Sequence, residues 1–362
     1  MAEAAPSRGM TDGWPSTRGM LERWPKWLIC VPLVLQWLYL SARHGSTTLP
    51  SSANPRITAG GLVGEGKLEY FADMGPLARQ ATAAYCAIAP GEGRLPDTVK
   101  AVMQRAGLAF PVVAKPNLGM CGFGVRRIDQ PDALQAYLAA FPAGQTVMLQ
   151  TYLAEEGEAG IFYAREPSQT HGRIIGLALR RFPQVIGDGQ HTLGALIAAD
   201  VRARRLLDPA HHELQADTQA VPAAGQVVRL ATIGSTRVGG LYTDGGAHAT
   251  AQLSAAIDAI AQDMPEFYFG RFDIRFASVT ELREGRGLRI MEINGAGSEA
   301  IEAWDPATPL LAAFRIIFAK QALLFAIGAA MRARGHRPIS LLQLARLHHM
   351  QQNLLDQYPP SN

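Results

Sequence analysis

The sequence contains little cysteine and little charge, and both shortages narrow the class of protein. Three cysteines occur in 362 residues, and Cys30, Cys86 and Cys121 form neither a CxxC pair nor a Cys/His cluster with zinc-ligand spacing. This sparse, odd number favours a reducing compartment over a disulfide framework. Charged residues make up 18% of the chain and its net charge is +3, without a block of Lys and Arg. We therefore expect no nucleic-acid partner.

The N-terminal part of the sequence lacks an apolar run long enough for a typical membrane-spanning helix. Residues 27–40 form an aromatic, apolar run that is shorter than the roughly 20 residues of a spanning helix, and it contains Pro32 and Gln36. Basic residues flank this run on both sides, namely Arg23, Lys26, Arg43 and His44. Such a pattern is typical of a helix that lies on a membrane surface. A helix packed on the folded domain would show the same pattern, so both interpretations stay open.

Helical and strand patterns alternate from Pro96 onwards, which predicts a mixed fold rather than an all-helical one. Asp97 and Thr192 are predicted to cap two of the helices. The predicted helices cover residues 97–106, 131–140, 192–207, 253–263, 309–331 and 341–355. The predicted strands cover residues 111–116, 147–153, 174–181, 270–276 and 288–293.

The first segment that suggests chemistry is an apolar strand followed by a glycine-rich loop. Lys115 lies near the end of the strand, and Gly119, Gly122 and Gly124 follow it. Glycines let the backbone approach phosphate oxygens closely and donate N–H groups to them. The loop is not a Walker A loop, because no Gly-Lys-Ser/Thr follows. An ordinary surface turn is the alternative interpretation.

The second segment is the strand over 148–153, which leads to a turn rich in glutamate. The backbone near Tyr152 and Leu153 is suited to the edge of a purine, and a carboxylate beyond them is suited to ribose hydroxyls. A plain edge strand with a solvated acidic turn is the alternative.

The third segment is a pair of strand patterns that carry polar residues. Alternation places Arg271, Asp273 and Arg275 on one face of the first strand, and Glu292 and Asn294 on one face of the next. If the strands pair, Asp273, Glu292 and Asn294 converge as hard oxygen ligands. Magnesium prefers such ligands together with substrate phosphates. A salt bridge between a carboxylate and a neighbouring arginine is the alternative.

In this order, the three segments resemble the ATP-grasp superfamily over residues 96–306. Gly270-Arg271-Phe272-Asp273 is similar to the Gly-Arg-x-Asp strand of D-alanine–D-alanine ligases, and Met291-Glu292-Ile293-Asn294 is similar to their Glu-x-Asn metal motif. A further stretch after Arg180 and Arg181 resembles amino-acid and peptide ligases such as cyanophycin synthetase. The resemblance implies an α+β fold in which two lobes grip ATP, preceded here by an apolar helical extension.

The resemblance also implies roles for individual residues. Arg271 stabilises developing negative charge, and Arg180, with Arg181 as the alternative, adds a phosphate contact. Magnesium, or manganese in its place, is held by Asp273, Glu292 and Asn294. The residues expected to bind ATP are Lys115, Gly119, Gly122, Gly124, Gln150, Tyr152, Leu153 and Glu158.

The resemblance leaves two features open. A second ATP-binding cation is expected upstream, and Lys67, Arg79, Lys100 and Arg105 are all candidates. Residues 60–65 have the letters of the Gly-Gly-x-x-x-Glu loop with which D-alanine ligases hold an amino acid. No convincing strand precedes these residues, so D-alanine specificity is not predicted.

The predicted function is an ADP-forming ligase that activates a small-molecule carboxylate as an acyl phosphate for attack by an amine. Amino acids and peptide-like molecules are the expected substrates, and ATP places the protein in the cytoplasm, free or at the inner face of a membrane. An ATP-grasp kinase and a catalytically inactive, membrane-associated nucleotide-binding module are the alternatives. The predicted organisation is a disordered leader (1–20), an apolar segment with a partial preATP-like region (21–95), an ATP-grasp domain (96–306) and C-terminal helices packed on it (307–362).

Overall fold

The computed structural model describes residues 18–209 and 212–362. The predicted disordered leader therefore lies outside the described residues up to position 17. In chain order the helices are α1 (Met20–Arg23), α2 (Lys26–His44), α3 (Lys67–Ala72), α4 (Pro76–Ala81), α5 (Pro96–Arg105), α6 (Pro131–Ala140), α7 (Leu193–Ala199), α8 (Ala251–Gln262), α9 (Val279–Arg283), α10 (Leu310–Ala333) and α11 (Leu341–Leu355).

The strands form two larger antiparallel sheets and one small two-stranded sheet. They are β1 (Tyr85–Ile88), β2 (Val112–Pro116), β3 (Arg126–Ile128), β4 (Val147–Thr151), β5 (Gly157–Ala164), β6 (Arg173–Arg181), β7 (Gln184–Ile186), β8 (Val227–Arg229), β9 (Leu241–Asp244), β10 (Phe269–Phe276) and β11 (Arg289–Asn294). The small sheet has the order β1-β4-β2-β3, the large sheet has the order β11-β10-β5-β6-β9, and β7 pairs with β8. The predicted α+β class is thus confirmed.

The small sheet is covered by α5 and α6. Val99 of α5 and Leu134 of α6 are buried in one cluster with Val112, Ala114 and Leu149 of the sheet. The apolar sequence of β2 fits this half-buried surface, and the strand ends at a proline, which cannot donate to the ladder. The sheet begins with β1, before the predicted domain boundary at residue 96.

The large sheet has two central strands, β5 and β10, that are buried along their whole length. Aromatic side chains fill the layer between the sheet and α8, where Tyr163 and Phe267 stack and Phe272 meets both rings edge-on. Strand β5 was not predicted from the sequence, because the acidic residues at its start suggest a solvated turn. On the opposite face of the sheet, Gly160 permits close packing, since a Cβ atom would lie 2.5 Å from Ile301 Cδ1.

Two of the predicted helix boundaries need correction. Asp97 does not cap α5; the N-cap residue is Leu95, and Asp97 lies in the first turn. Thr192 does cap α7, but the helix ends at Ala199 rather than near residue 207. Asp200 stops it, because its Oδ1 atom accepts hydrogen bonds from the amides of residues 202 and 203 and begins a separate 3₁₀ helix.

The apolar N-terminal segment forms α2, which packs along α10. Ile29 shares a buried cluster with Ala313, and the Trp37 ring meets Phe325 edge-on at 4.9 Å between centroids. Among the described residues, α10 is the one helix long and apolar enough to cross a membrane by length and composition. In the fold, Lys320 in the middle of α10 is buried in an ion pair with Glu302.

Asn54 fastens the segment that follows α2 to the large sheet. Its side chain is fully buried; Oδ1 accepts hydrogen bonds from the amides of Tyr268 and Phe269, at 2.8 and 3.1 Å. Its Nδ2 atom donates to the carbonyls of Gly60 and Phe269, at 2.9 and 2.8 Å. One side chain therefore satisfies backbone groups on both sides of the junction.

We predict that Asn54→Ala lowers the free energy of unfolding by about 3 kcal/mol, because it leaves buried backbone donors and acceptors unpaired. The matched control is Asn353→Ala, since Asn353 is exposed on α11 and its substitution should change stability by less than about 0.5 kcal/mol. Denaturant unfolding measures both values, and equal stability of the two variants would contradict the assigned role of Asn54.

Candidate active site

A cavity of about 1260 Å³ lies between the small sheet and the large sheet. Most of the residues selected from the sequence line it. They are Lys115, Gly119, Gly122, Gln150, Tyr152, Leu153, Glu158, Arg180, Arg271, Asp273, Glu292 and Asn294. Gly124 is not part of the lining; its carbonyl accepts a hydrogen bond from Tyr137 Oη, and a Cβ atom would lie 2.9 Å from Pro116 Cγ. Close packing against Pro116 therefore explains why residue 124 is a glycine.

The carboxylates meet because β10 and β11 pair in an antiparallel register. Asp273 lies opposite Glu292, and Arg271 lies opposite Asn294. Asp273 is only 2% exposed, and it accepts hydrogen bonds from Arg271 Nε at 2.7 Å and Arg180 Nη2 at 2.9 Å. Burial alone would raise the pKa of Asp273, but Arg180 and Arg271 hold it below its ordinary value.

Glu292 has its own cationic partners. Lys67 Nζ lies 3.2 Å from Glu292 Oε1, and Lys115 is close enough to add to the field. Burial would raise the pKa of Glu292, but these two ammonium groups lower it overall. Both carboxylates are therefore charged at neutral pH, which metal binding requires.

The donor set fits a hard cation such as magnesium. Asp273 and Glu292 provide carboxylate oxygens, and Asn294 provides an amide whose Nδ2 lies 3.2 Å from Asp273 Oδ2. No group of three His, Cys, Asp or Glu suited to a metal occurs in residues 18–209 and 212–362, and the Asn294 amide is the candidate third ligand beside the two carboxylates. Rotation of that amide by 180° presents its oxygen instead. Two carboxylates, one amide oxygen and phosphate oxygens form a set that magnesium accepts.

Lys115 connects the two walls of the cavity. Its Nζ atom donates to Gln150 Oε1 at 2.7 Å and, across the cavity, to the Met291 carbonyl at 2.9 Å. Burial lowers the pKa of Lys115 to about 8, and the charge of Glu292 opposes this effect. Lys115 therefore carries a positive charge at neutral pH, and its ammonium group lies between the two sheets.

Of the four candidates for a second cation, Lys67 is the one that lines the cavity. It is the first residue of α3, and besides Glu292 its Nζ atom contacts the Gly119 carbonyl at 3.1 Å. The sequence carries no signal that distinguishes Lys67 from the other candidates, because folding alone brings the start of α3 to the glycine loop.

The glycine loop is held by an arginine that the sequence analysis missed. Arg237 donates to the carbonyls of Cys121 and Gly122, at 3.0 and 3.1 Å, and lies over the Phe123 ring at 4.4 Å. Gly122 has a φ of +75°, a left-handed conformation that favours glycine. With its carbonyls bound by Arg237, the loop has a defined shape, and Gly119 and Gly122 face the cavity.

Glu158 does not lie in a polar turn after the hinge, as the sequence suggested. It is part of β5 on the opposite wall, with ion pairs to Arg180 at 3.2 Å and Arg275 at 3.3 Å. Arg180 also reaches Asp273, so it joins two buried carboxylates. Arg275 is missing from the predicted site, although its place on the face of Arg271 and Asp273 could have indicated it.

The predicted adenine hinge follows β4 at one side of the cavity. The Tyr152 amide already donates to the Pro111 carbonyl, at 3.3 Å, while its ring lies under the Arg127 guanidinium. A purine edge at this position would therefore meet the Tyr152 carbonyl and the backbone of Leu153. The Gln150 side chain is directed at Lys115, so it orients that ammonium group instead of facing a purine.

Among the comparisons with known proteins, only the comparison with solved structures found similar proteins. No protein-family model matches the sequence, and no curated protein matches it. A bifunctional glutathione synthetase from Pasteurella multocida matches 70% of this chain and 36% of its own, with 15% identity and a TM-score of 0.37. D-cycloserine synthetase DcsG matches 74% of this chain and 69% of its own, with 15% identity and a TM-score of 0.39.

The VanG D-Ala:D-Ser ligase from Enterococcus faecalis matches 75% of this chain and 62% of its own, with 12% identity and a TM-score of 0.40. The chain thus spans about a third of the glutathione synthetase and less than two thirds of the VanG ligase. By name, these three proteins are two synthetases and a ligase. Because every TM-score is below 0.5, the function is inferred from this chain's own residues.

We predict that Asp273→Asn and Glu292→Gln each reduce ATP turnover by roughly a hundredfold or more, because each removes charge from a proposed magnesium ligand. The control is Glu284→Gln, which removes an exposed carboxylate outside the cavity. Turnover is measured over a range of magnesium concentrations, with circular dichroism to confirm folding. Near-normal turnover in both folded site variants would show that these carboxylates serve the structure alone.

A second prediction concerns pH. Lys115 is charged below its pKa of about 8, so the affinity of the ligand-free protein for ATP should fall as the pH rises through that value. Calorimetric titrations from about pH 6.5 to about pH 9.5 measure this change. Lys115→Gln should bind ATP about 10- to 100-fold more weakly and lose the pH step. An identical pH profile in both proteins would exclude Lys115 as its source.

Proposed function

We propose that the chain is an ATP- and magnesium-dependent ligase that activates a carboxylate as an acyl phosphate and transfers it to an amine, with release of ADP. The observation that carries this proposal is the convergence of Asp273, Glu292 and Asn294 with Lys115 and Arg271 in one cavity between two sheets. Cations, hard oxygen ligands and a glycine loop in one cleft are the parts that phosphoryl transfer requires.

Each group of residues has a proposed role that follows from its position in the cavity. Lys115 and Lys67 supply positive charge for ATP phosphates, and the loop from Gly119 to Gly122 supplies backbone N–H groups. Asp273 and Glu292 would hold magnesium, which when bound neutralises charge on the phosphate oxygens. In the reaction the substrate carboxylate attacks the terminal phosphorus and ADP leaves; the amine then attacks the carbonyl carbon and phosphate leaves.

Arg271 is placed to stabilise the negative charge that develops on the substrate. It is buried, and it is oriented by Asp273 and by the Glu299 carbonyl, which accepts a hydrogen bond from Nη1 at 3.0 Å. A guanidinium fixed in this way needs little reorganisation when charge appears, which is the condition for effective electrostatic catalysis. The glycine loop and Arg237 on the other side would limit the access of water to an acyl phosphate.

The environment of Glu65 favours a substrate that carries an amine. It lines the cavity directly after the turn at residues 60–64, and its Oε2 atom is buried without a hydrogen-bond partner. Burial raises the pKa of Glu65 to about 7. A buried carboxylate of this kind gains from a nearby ammonium group, so amino acids and peptide-like molecules are the substrates that we propose. Since ATP is the proposed substrate, a cytoplasmic location of the cavity is part of this proposal.

We predict that hydroxylamine intercepts the activated carboxylate. The protein, given ATP, magnesium and a panel of amino acids, short peptides and hydroxy acids, should yield a hydroxamate together with ADP and phosphate. Glu292→Gln should lower hydroxamate and ADP in parallel, whereas the exposed-site variant Glu284→Gln should not. Hydroxamate is measured by its ferric complex and nucleotides by chromatography.

The products distinguish the proposed ligase from other enzymes. A stable phosphate ester without hydroxamate would identify a kinase, and AMP with pyrophosphate would exclude an acyl phosphate. Unchanged ATP across the panel, with ATP bound at the cavity, would indicate a nucleotide-binding module without turnover.

A further inference from the structure

Helix α2 exposes its apolar side to solvent. Trp27, Val31, Val34, Leu35 and Leu38 are between 46% and 69% exposed. Their spacing follows the 3.6-residue period, so they share one face of the helix, while Ile29 and Leu40 on the other side are buried. A surface helix of a globular protein normally presents polar residues to water. The outward face of α2 reverses this pattern.

The same part of the molecule lacks negative charge. Residues 23–64 contain four Lys or Arg and no Asp or Glu, and residues 306–355 contain six Lys or Arg and no Asp or Glu. The whole chain has a net charge of only +3, so the remaining residues are net acidic. Because α2 and α10 pack together, these two helices form one apolar side of the protein, and neither helix contains an Asp or Glu.

The charges are arranged around the apolar face rather than within it. Arg23 lies exposed just before α2, Lys26 lies exposed at its first position and also lines the cavity, and Arg43 lies exposed near its end. Trp27 and Tyr39, which are 69% and 57% exposed, occupy positions near the two ends of the face. Apolar residues bordered by aromatic and basic side chains match the depth profile of an anionic lipid surface.

We propose that the outward face of α2 binds the surface of an anionic lipid bilayer, with the helix lying parallel to that surface. The helix does not cross the bilayer, because its opposite face is packed on α10 and its Trp37 side chain donates to the Thr47 carbonyl. Leu311, which is 72% exposed, lies at the start of α10, near the end of α2 that carries Trp27. This proposal is independent of the proposed ligase activity.

The test is flotation of the full chain with two kinds of vesicle, pure phosphatidylcholine and phosphatidylcholine with about 30% phosphatidylglycerol. We expect binding to the anionic vesicles, and weaker binding when salt is raised. The triple variant V34S/L35Q/L38Q should bind at least about tenfold more weakly. The control I186Q/V227Q removes equally exposed apolar side chains from β7 and β8 and should bind like the unaltered chain.

All three substituted positions of α2 face solvent, so thermal unfolding should remain unchanged and verifies the fold of the triple variant. Absence of binding to anionic vesicles, or equal binding of the unaltered chain and the triple variant, would overturn the proposal. So would concentration-dependent dimers that V34S/L35Q/L38Q abolishes without any vesicle binding, since the face would then serve a second copy of the chain.

Discussion

Asp273 carries its charge in an interior where an unpaired carboxylate would cost several kcal/mol, and the surrounding strands are arranged to prevent this. Arg271 comes from the same strand, Arg180 from β6, and Asn294 from β11. These partners reach one carboxylate only if β11, β10, β5 and β6 keep their register. A slip of one residue in β10 would turn Asp273 and Arg271 to the opposite face, away from Arg180 and Asn294.

The other buried carboxylates of the cavity are also paired with cations, and this pairing affects how a charged ligand could bind. Glu292 is balanced by Lys67, and Glu158 is balanced by Arg180 and Arg275. In the proposed reaction, entry of a metal–nucleotide complex would exchange one set of ionic partners for another, instead of adding charge to an empty site. Such an exchange would keep the desolvation cost low in both states, since the groups already lie in place.

The sequence predicted those parts of the site that lie on regular strands. Alternation in β10 and β11 was sufficient to bring Asp273, Glu292 and Asn294 together, because pairing needs only the period of two. Glu158 was misplaced, since a carboxylate that begins a fully buried strand looks like part of a solvated turn. Lys67 and Arg237 could not be assigned, because their positions depend on packing between segments distant in sequence and not on a local pattern.

Helix α2 contributes to two surfaces at once. Ile29, Cys30 and Leu33 form part of the cavity wall, while the outward face looks away from it. A rigid helix has one position, so the free energies of the two surfaces are thermodynamically linked. A partner that binds the outward face and shifts α2 would also alter the cavity wall. By reciprocity, a ligand in the cavity would then change the affinity of the outward face for that partner by the same factor. A coupling of about 1 kcal/mol would already correspond to a fivefold change.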